Sequence, residues 1–339
     1  MHSEERRVQL TGGSTLIISL PKWWLDAFKV KKGDSLIISE HPSGGLTIIP
    51  KDVRISDCEI NINEGSDVTN VLRELISFYL AGYNFIKINI STHNPEVLNT
   101  LKSSIRRLLA GAEVVDESYN RLVVELIPLF QNTSHLKSIE RMGVISYYML
   151  RDSLRAVETG DRELAREIIN RDDEVDRFYY YFHRSVNNLL MPLAARLEKV
   201  SLNPHDAVSY VMAARSIERI ADHATNIASM VVEEPLEGQK LEKIIKIGYD
   251  ATELFRVAVD LLLNPSVKEL ECLLSDSEAM ISDIQKAHSR LSRASSPPSE
   301  RLLYYNIRRI IEYSMDICEN ALNIATPKPR FIHTGKDNV

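Results

Sequence analysis

The chain has 339 residues, 44% of them hydrophobic and 26% charged, with a formal net charge of −6. This is the composition of a soluble globular protein with enough chain for two or three domains. The longest apolar runs, such as Leu16–Leu20 and Leu122–Leu129, fall far short of the ~20 residues of a membrane span, and the acidic start Met1–Glu5 does not read as a signal peptide. Cys58, Cys272 and Cys318 are scattered without CxxC spacing, which predicts a reducing, cytoplasmic setting without disulfides or structural zinc.

Residues 1–50 read as short strands joined by turns. Arg6–Leu10 and the β-branched run Thr15–Leu20 flank the turn Thr11–Ser14. Pro21 opens a short helix ending near Phe28. The turn Lys32–Asp34, the strand Ser35–Glu40, the turn His41–Gly45 and the strand Leu46–Ile49 follow, and Pro50 stops the run. Residues 1–54 hold eight Lys/Arg against six Asp/Glu, a balance of about +2 in an otherwise acidic chain.

Residues 57–128 change character. The predicted order is strand Cys58–Asn63, helix Asp67–Leu80 capped by Asp67, strand Phe85–Ile90, helix Pro95–Leu109, and a hairpin of Ala112–Glu117 with Leu122–Leu129. This is a small α/β segment (55–130) without a phosphate loop or dinucleotide fingerprint, expected to act as a spacer or dimer contact. From His135 the pattern is helical, near 135–158, 162–199, 204–233, 239–263, 265–293 and 298–325. Thr159-Gly160-Asp161, Asn203-Pro204, Glu234-Pro235, Asn264-Pro265 and Pro297-Pro298 mark the breaks. Pro192 is expected to kink or end the second stretch, and residues 327–339 read as a flexible tail.

The helical part repeats. Arg215, Glu218, Asp222 and Asn226 recur as Arg309, Glu312, Asp316 and Asn320, each 94 residues on, and Asp206 recurs as Glu300. The expected fold class is therefore multidomain and mainly α: a β hairpin head, a short α/β segment and two repeated three-helix bundles (about 135–233 and 239–325). At ~100° per residue, Glu218, Asp222 and Asn226 share one helix face. The preceding helix adds Asp172 and Asp176, also at i, i+4. Close carboxylates need a counter-charge. Two readings follow: a salt-bridged face satisfied by Arg215, Arg219 and Arg309, or an oxygen-rich metal site between helices.

At these residues the sequence resembles the PhoU family of phosphate-signalling proteins. Glu218-Arg-Ile-Ala-Asp222-His-Ala-Thr-Asn226-Ile-Ala matches that family's E(D)xxxD segment, and Asp172–Asp176 matches its partner on the preceding helix. The resemblance covers about residues 135–325. It implies a regulator of phosphate uptake with divalent or trivalent metal, iron, zinc or similar, on the acidic stripes: Asp172, Asp176, Glu218 and Asp222 in one repeat, Glu312 and Asp316 in the other, supported by Asn226, Asn320, Arg215 and Arg309. The second copy departs from the pattern, with Tyr313 for Arg219 and Ile317 for His223. The helix before it has Asp276, Glu278 and Asp283, with Met280 where an acid is expected, and Asp206-Ala-Val lacks the usual arginine.

The first fifty residues are similar to the AbrB/SpoVT/MazE class of swapped hairpins, carried by Gly12-Gly13-Ser14-Thr-Leu-Ile-Ile-Ser-Leu-Pro21-Lys22-Trp23-Trp24 and Val30-Lys31-Lys32-Gly33-Asp34. A unit this small buries little core alone, and the resemblance implies an obligate homodimer. Arg6, Arg7, Lys22, Lys31 and Lys32, with Lys29 nearby, are the expected DNA phosphate contacts. Trp23 and Trp24 are expected as core and dimer anchors. The combination is archaeal in type.

Catalysis is not expected. None of the nine histidines has Glu three residues before it, as di-iron bundles require, and no HExxH, GxSxG or phosphate-loop motif is present. His183 and His288 read as packing or capping residues. The sequence thus predicts a DNA-binding phosphate-response regulator with promoter DNA and a transporter ATPase or signalling protein as partners, without membrane insertion or an organic cofactor. The alternative is a scaffold that modulates a phosphate transporter and uses its hairpin only to dimerise.

Overall fold

The structure is a computed structural model and describes residues 2–40, 45–52, 56–91, 94–127, 135–191, 202–233, 241–293 and 298–329. The expected turn at His41–Gly44, the kink at Pro192, the break at Glu234-Pro235 and the tail beyond Pro329 lie outside them. So do the side chains of Leu190 and residues 287–293, His288 included. Two compact units are formed, one by Met1–Arg54 and the other by Ile55–Met191 with Arg196–Pro329.

In the first unit β1 (Gln9–Thr11) and β2 (Thr15–Ile17) form an antiparallel hairpin around the Gly12-Gly13 turn, where both glycines take positive φ. The helix α1 (Lys22–Phe28) follows, and β3 (Leu36–Glu40) pairs antiparallel with β4 (Leu46–Pro50). The expected strands Arg6–Leu10 and Thr15–Leu20 are shorter than their β-rich sequence, because the residues beyond the hairpin find no partner strand within the chain. Ile49 is the only buried residue of this unit among those described. Val8, Leu10, Leu16, Ile17, Ile18, Trp23, Phe28, Ile38 and Leu46 are all exposed.

The second unit begins with β5 (Cys58–Ile62), α2 (Val68–Ala81), β6 (Phe85–Ile90), α3 (Pro95–Leu108), β7 (Ala112–Ser118) and β8 (Arg121–Leu126). The sheet order is β5-β6-β8-β7. The β5–β6 pair is parallel and the others antiparallel, with a register shift between Val114 and Asp116. Alternation along the strands sends Ile60, Ile86, Ile88, Leu122 and Val124 inward against Leu75, Tyr79, Leu101 and Ile105 of the two helices. The opposite face is polar, with Asn89 donating to Asn61 at 3.0 Å. Asp67 caps α2 by accepting from the Thr69 amide at 2.9 Å, and Asn94 caps α3 in the same way.

Among the described residues six helices complete the unit: α4 (Leu136–Thr159), α5 (Arg162–Asn187), α6 (Pro204–Glu233), α7 (Leu241–Leu263), α8 (Val267–Arg293) and α9 (Pro298–Ala325). The second ends at Asn187 in a short 3-10 turn, and the expected stretch from Pro192 to residue 199 lies outside the described residues. α4, α5 and α6 pack on one another, as do α7, α8 and α9. The two bundles share one continuous core, because α6 packs along α9 and α4 along α7. The α4–α7 crossing is antiparallel and reciprocal: a Cβ on Gly143 would lie 2.6 Å from Val259, and one on Gly248 would lie 2.7 Å from Leu154. Small residues at both points let the backbones approach. Two tyrosines then clasp the pair, Tyr147 donating to Glu253 at 2.8 Å and Tyr249 to Glu158 at 2.9 Å. No helix among the described residues is long and apolar enough to cross a membrane.

The α/β layer is docked on α5. Arg184, buried in that helix, donates to the Tyr79 carbonyl at 2.5 Å, the Gly82 carbonyl at 3.3 Å and Asn84 Oδ1 at 2.9 Å. Its guanidinium carbon lies 5.1 Å from the centre of the Tyr79 ring. The Tyr79 carbonyl also accepts from the Gly82 amide at 3.1 Å, so Arg184 adds a second donor there and supplies one to the Gly82 carbonyl just past the helix. Asn187 donates to the Leu80 carbonyl at 2.7 Å beside it.

Candidate metal site and nucleic-acid interface

The acidic stripe is built where α5 lies against α6. Ile217, Ala221, Ala224 and Ala228 are buried along α6, and the small alanines draw the helices together. Glu218 is therefore only 7% exposed, while Asp222, Asp172 and Asp176 are half-buried at the margin. Arg215 Nη1 donates to Glu218 Oε1 at 2.7 Å, and Arg219 Nη1 to Asp222 Oδ2 at 2.9 Å. Glu218 Oε2 is buried without a hydrogen bond, its nearest cation being Arg219 Nε at 3.9 Å.

Three of these carboxyls are held well above the ordinary range. Burial and then the Asp222 charge raise Asp172 to about 6. Burial, Asp172 and Asp222 raise Asp176 to about 7. Burial and Asp222 raise Glu218 to about 8, against the opposing pull of Arg215. The common perturber is Asp222, so the four groups form one electrostatically coupled cluster. It is short of positive charge: neither Asp172 nor Asp176 has an ion-pair partner among the described residues.

The donor set is all carboxylate oxygen, which suits a hard or borderline cation, and the unpartnered Glu218 Oε2 is an oxygen such an ion would satisfy. On chemistry and burial the α5–α6 residues fit a metal. As the side chains stand, no group of three or more His, Cys, Asp or Glu among the described residues converges closely enough to hold one.

The second stripe is organised differently. Both oxygens of Glu312 are taken, by Arg308 Nε at 2.7 Å and Arg309 Nη1 at 2.5 Å. Asp316 is exposed, as are Asp276, Glu278 and Asp283 of α8. Asn320 spends its amide on the Asp316 carbonyl of its own helix at 2.7 Å. In the first repeat Asn226 is exposed and takes no place in the cluster. The salt-bridged face describes Glu312 of the second repeat, while burial and the Glu319 and Glu312 charges raise the Asp316 carboxyl, against the pull of Arg309.

Several neighbours of the site are not evident from the sequence. Asp173 pairs with Arg107 of α3 at 3.1 Å, which ties the α/β layer to the residue next to Asp172. Tyr179 faces Arg215, whose guanidinium carbon lies 5.4 Å from the ring centre. The acidic run 172–176 was the only signal for the first contact, and nothing in the spacing identified Arg107. His183 is half-buried against Tyr179, with its Nδ1 unbonded.

In the first unit Arg6, Arg7, Lys22, Lys31 and Lys32 are all exposed. Arg6 pairs with Glu4 at 2.6 Å. Lys22 stands at the start of α1. Lys31 and Lys32 lie in the loop before β3, where the Lys31 amide donates to Asp34 at 2.8 Å. Trp23 is exposed and Trp24 half-buried, its ring tilted against that of Phe28 with centres 5.2 Å apart.

Comparison with known proteins matches residues 139–231 to the PhoU domain and residues 9–56 to the family described as antidote-toxin recognition MazE, bacterial antitoxin. A Caulobacter vibrioides phosphate-specific transport system accessory protein PhoU homolog is 36% identical over 105 residues, 31% of this chain and 42% of that protein. A Borreliella burgdorferi protein of the same description is 35% identical over 81 residues, 24% and 35% of the two chains. The match thus spans less than half the length of these relatives. A Thermotoga maritima homolog is 23% identical over 57% of this chain and 87% of its own length. Among solved structures, PhoU from Pseudomonas aeruginosa aligns with a TM-score of 0.48 and 14% identity, over 56% of this chain and 95% of that one. The chain carries a PhoU domain behind a MazE-like N-terminal segment.

Proposed function

We propose that this chain, with its PhoU domain behind a MazE-like segment, is a cytoplasmic regulator of the phosphate response, a homodimer that binds promoter DNA through its N-terminal unit. The observation that carries the reading is the surface of residues 2–52: among the described residues, nine large apolar side chains stand exposed while Ile49 alone is buried. A strand pair with so little core is marginal in water, and a second copy interlocking its hairpins supplies the missing apolar partner. Arg6, Arg7, Lys22, Lys31 and Lys32 then serve as phosphate contacts, giving affinity that is sequence-tolerant and salt-dependent.

In this reading the helical bundles sense phosphate status through a transporter ATPase or signalling partner, or through a cation of the iron or zinc class. Asp172, Asp176, Glu218 and Asp222 would hold that ion, whose positive charge lets the coupled carboxyls ionise together. The second stripe, already neutralised by Arg308 and Arg309, is assigned no ion. Coupling of the bundles to DNA requires that ligands bind two states of the dimer unequally. The role is regulatory rather than catalytic.

A second reading rests on the Arg6–Glu4 pair, which spends one of the expected DNA contacts inside the chain. There the hairpin only dimerises, and the protein is a scaffold for a phosphate transporter. A salt series of promoter-DNA binding separates the two, comparing the full chain with the Arg6→Ala/Arg7→Ala/Lys22→Ala variant. The regulator loses affinity in the variant, and its log–log salt slope flattens by roughly 0.9 for each contact removed. Failure of both proteins to bind at low salt rejects the DNA-binding role in favour of the scaffold.

A further inference from the structure

Between α4 and α7 lies a cleft of about 510 Å³ whose wall includes Arg151, Asp152, Arg155 and Glu158 of α4 and Tyr249 of α7. Its acids are engaged. Asp152 accepts from Arg171 Nη1 at 2.6 Å, and Glu158 from the Tyr249 hydroxyl at 2.9 Å. Its two arginines are exposed, and neither has an ion-pair partner among the described residues. Arg171 of α5, Arg215 and Arg219 of α6, and Arg308 and Arg309 of α9 each pair with a carboxylate, whereas Arg151 is engaged by the Tyr147 hydroxyl. Arg151 and Arg155 also bear on one point, since the charges of both oppose the rise of the Tyr249 hydroxyl that burial and Glu158 produce.

Residues at i, i+4 on a helix stand ~5–6 Å apart at Cβ, a spacing at which two planar guanidinium forks can grip one anion between them. A carboxylate is satisfied by a single fork. A phosphate group has three or more free oxygens and a second charge, and it uses two forks and a hydroxyl. The volume is also that of a small-molecule site.

We propose that the α4–α7 cleft binds a phosphate group, as the inorganic ion or as a phosphomonoester, clamped between Arg151 and Arg155, with the Tyr249 hydroxyl leaving Glu158 to donate to it. The site shares no residue with the acidic cluster on α5 and α6, so it stands whether or not that cluster takes a cation.

The test is isothermal titration of the full chain in chloride buffer with sodium phosphate and, separately, with glycerol 3-phosphate. At least one titrant is expected to bind saturably at one site per chain. Arg151→Gln/Arg155→Gln weakens that binding at least ~10-fold, the size of one lost charged contact. Tyr249→Phe weakens it less, and Asp176→Asn in the acidic cluster leaves it unchanged. Binding of both titrants identifies the phosphate group itself as the recognised element, and binding of the ester alone identifies an organic phosphate. Circular dichroism checks that the variants keep their helices, and Arg151→Lys/Arg155→Lys, which retains the charge but not the forks, falls between wild type and the glutamine pair. The proposal is overturned if neither titrant binds up to ~10 mM, a range that covers even weak sites. It is equally overturned if the arginine pair can be replaced without effect, or if Asp176→Asn is the variant that loses binding.

Discussion

Residues 2–52 and residues 56–329 place their large apolar side chains oppositely. The first region turns Leu10, Leu16, Ile18, Trp23 and Leu46 outward. The second gathers its leucines and isoleucines into the sheet-and-helix core of the α/β layer and the continuous core of six helices. Strands of three to five residues in separate pairs cannot cover one another, whereas long helices with an apolar stripe can. The difference teaches where each region keeps its apolar surface: the helical unit covers it with contacts within the chain, and the N-terminal unit leaves it facing outward.

That contrast is sharpened by substitutions that should disturb one region and spare the other. The largest effect is expected for Arg184→Ala, which removes a buried guanidinium and its hydrogen bonds to Tyr79, Gly82 and Asn84 around the C-terminus of α2. A loss of about 3 kcal/mol is expected for a charged, buried donor, read as a lower urea midpoint of the helical unit. Gly143→Ala comes next. The added methyl meets Val259 in a crossing that cannot widen at one point, so overpacking of about 2 kcal/mol outweighs the gain in helix propensity. A more stable Gly143→Ala protein would refute the close crossing of α4 and α7.

The acidic cluster gives a pH dependence whose sign is fixed. Asp172, Asp176 and Glu218 have folded pKa values of about 6, 7 and 8, above their unfolded values. Their contribution is fully present below about pH 4 and is lost as pH rises through 6 to 8, at most about 1.4 kcal/mol per pH unit for each titrating group. The melting temperature of chelator-treated protein should fall across that window, and Asp222→Asn should flatten the fall. The smallest effect is expected for Asp67→Ala, about 1 kcal/mol from the lost cap of α2, measured by thermal melting.

Much of the architecture was legible because prolines and glycines punctuate the helices and β-branched runs mark the strands. The 94-residue repeat located α6 and α9 and predicted their equivalence, and the packing of those two helices on each other extends it. Strand lengths in the head were overestimated, since Ile18–Leu20 has the sequence of a strand but no partner inside one chain. The cluster of Asp172, Asp176, Glu218 and Asp222 followed from helical spacing, yet Asn226 did not. Each i, i+4 step turns ~40° around the helix, so the stripe that begins buried at Glu218 emerges into solvent by Asn226. Arg184 was invisible for another reason: its partner Tyr79 lies 105 residues away in sequence, and no local pattern announces such a contact.

The most direct test of the account is the mass of the full chain in solution by sedimentation equilibrium, beside a Leu10→Glu/Leu16→Glu variant. If the exposed apolar surface of residues 2–52 is the half-interface of a dimer, the wild type sediments at twice 38.5 kDa, and the variant sediments as a monomer with its helical circular dichroism intact. A wild-type chain that remains at 38.5 kDa at concentrations well above micromolar, where even a modest interface associates, would contradict it.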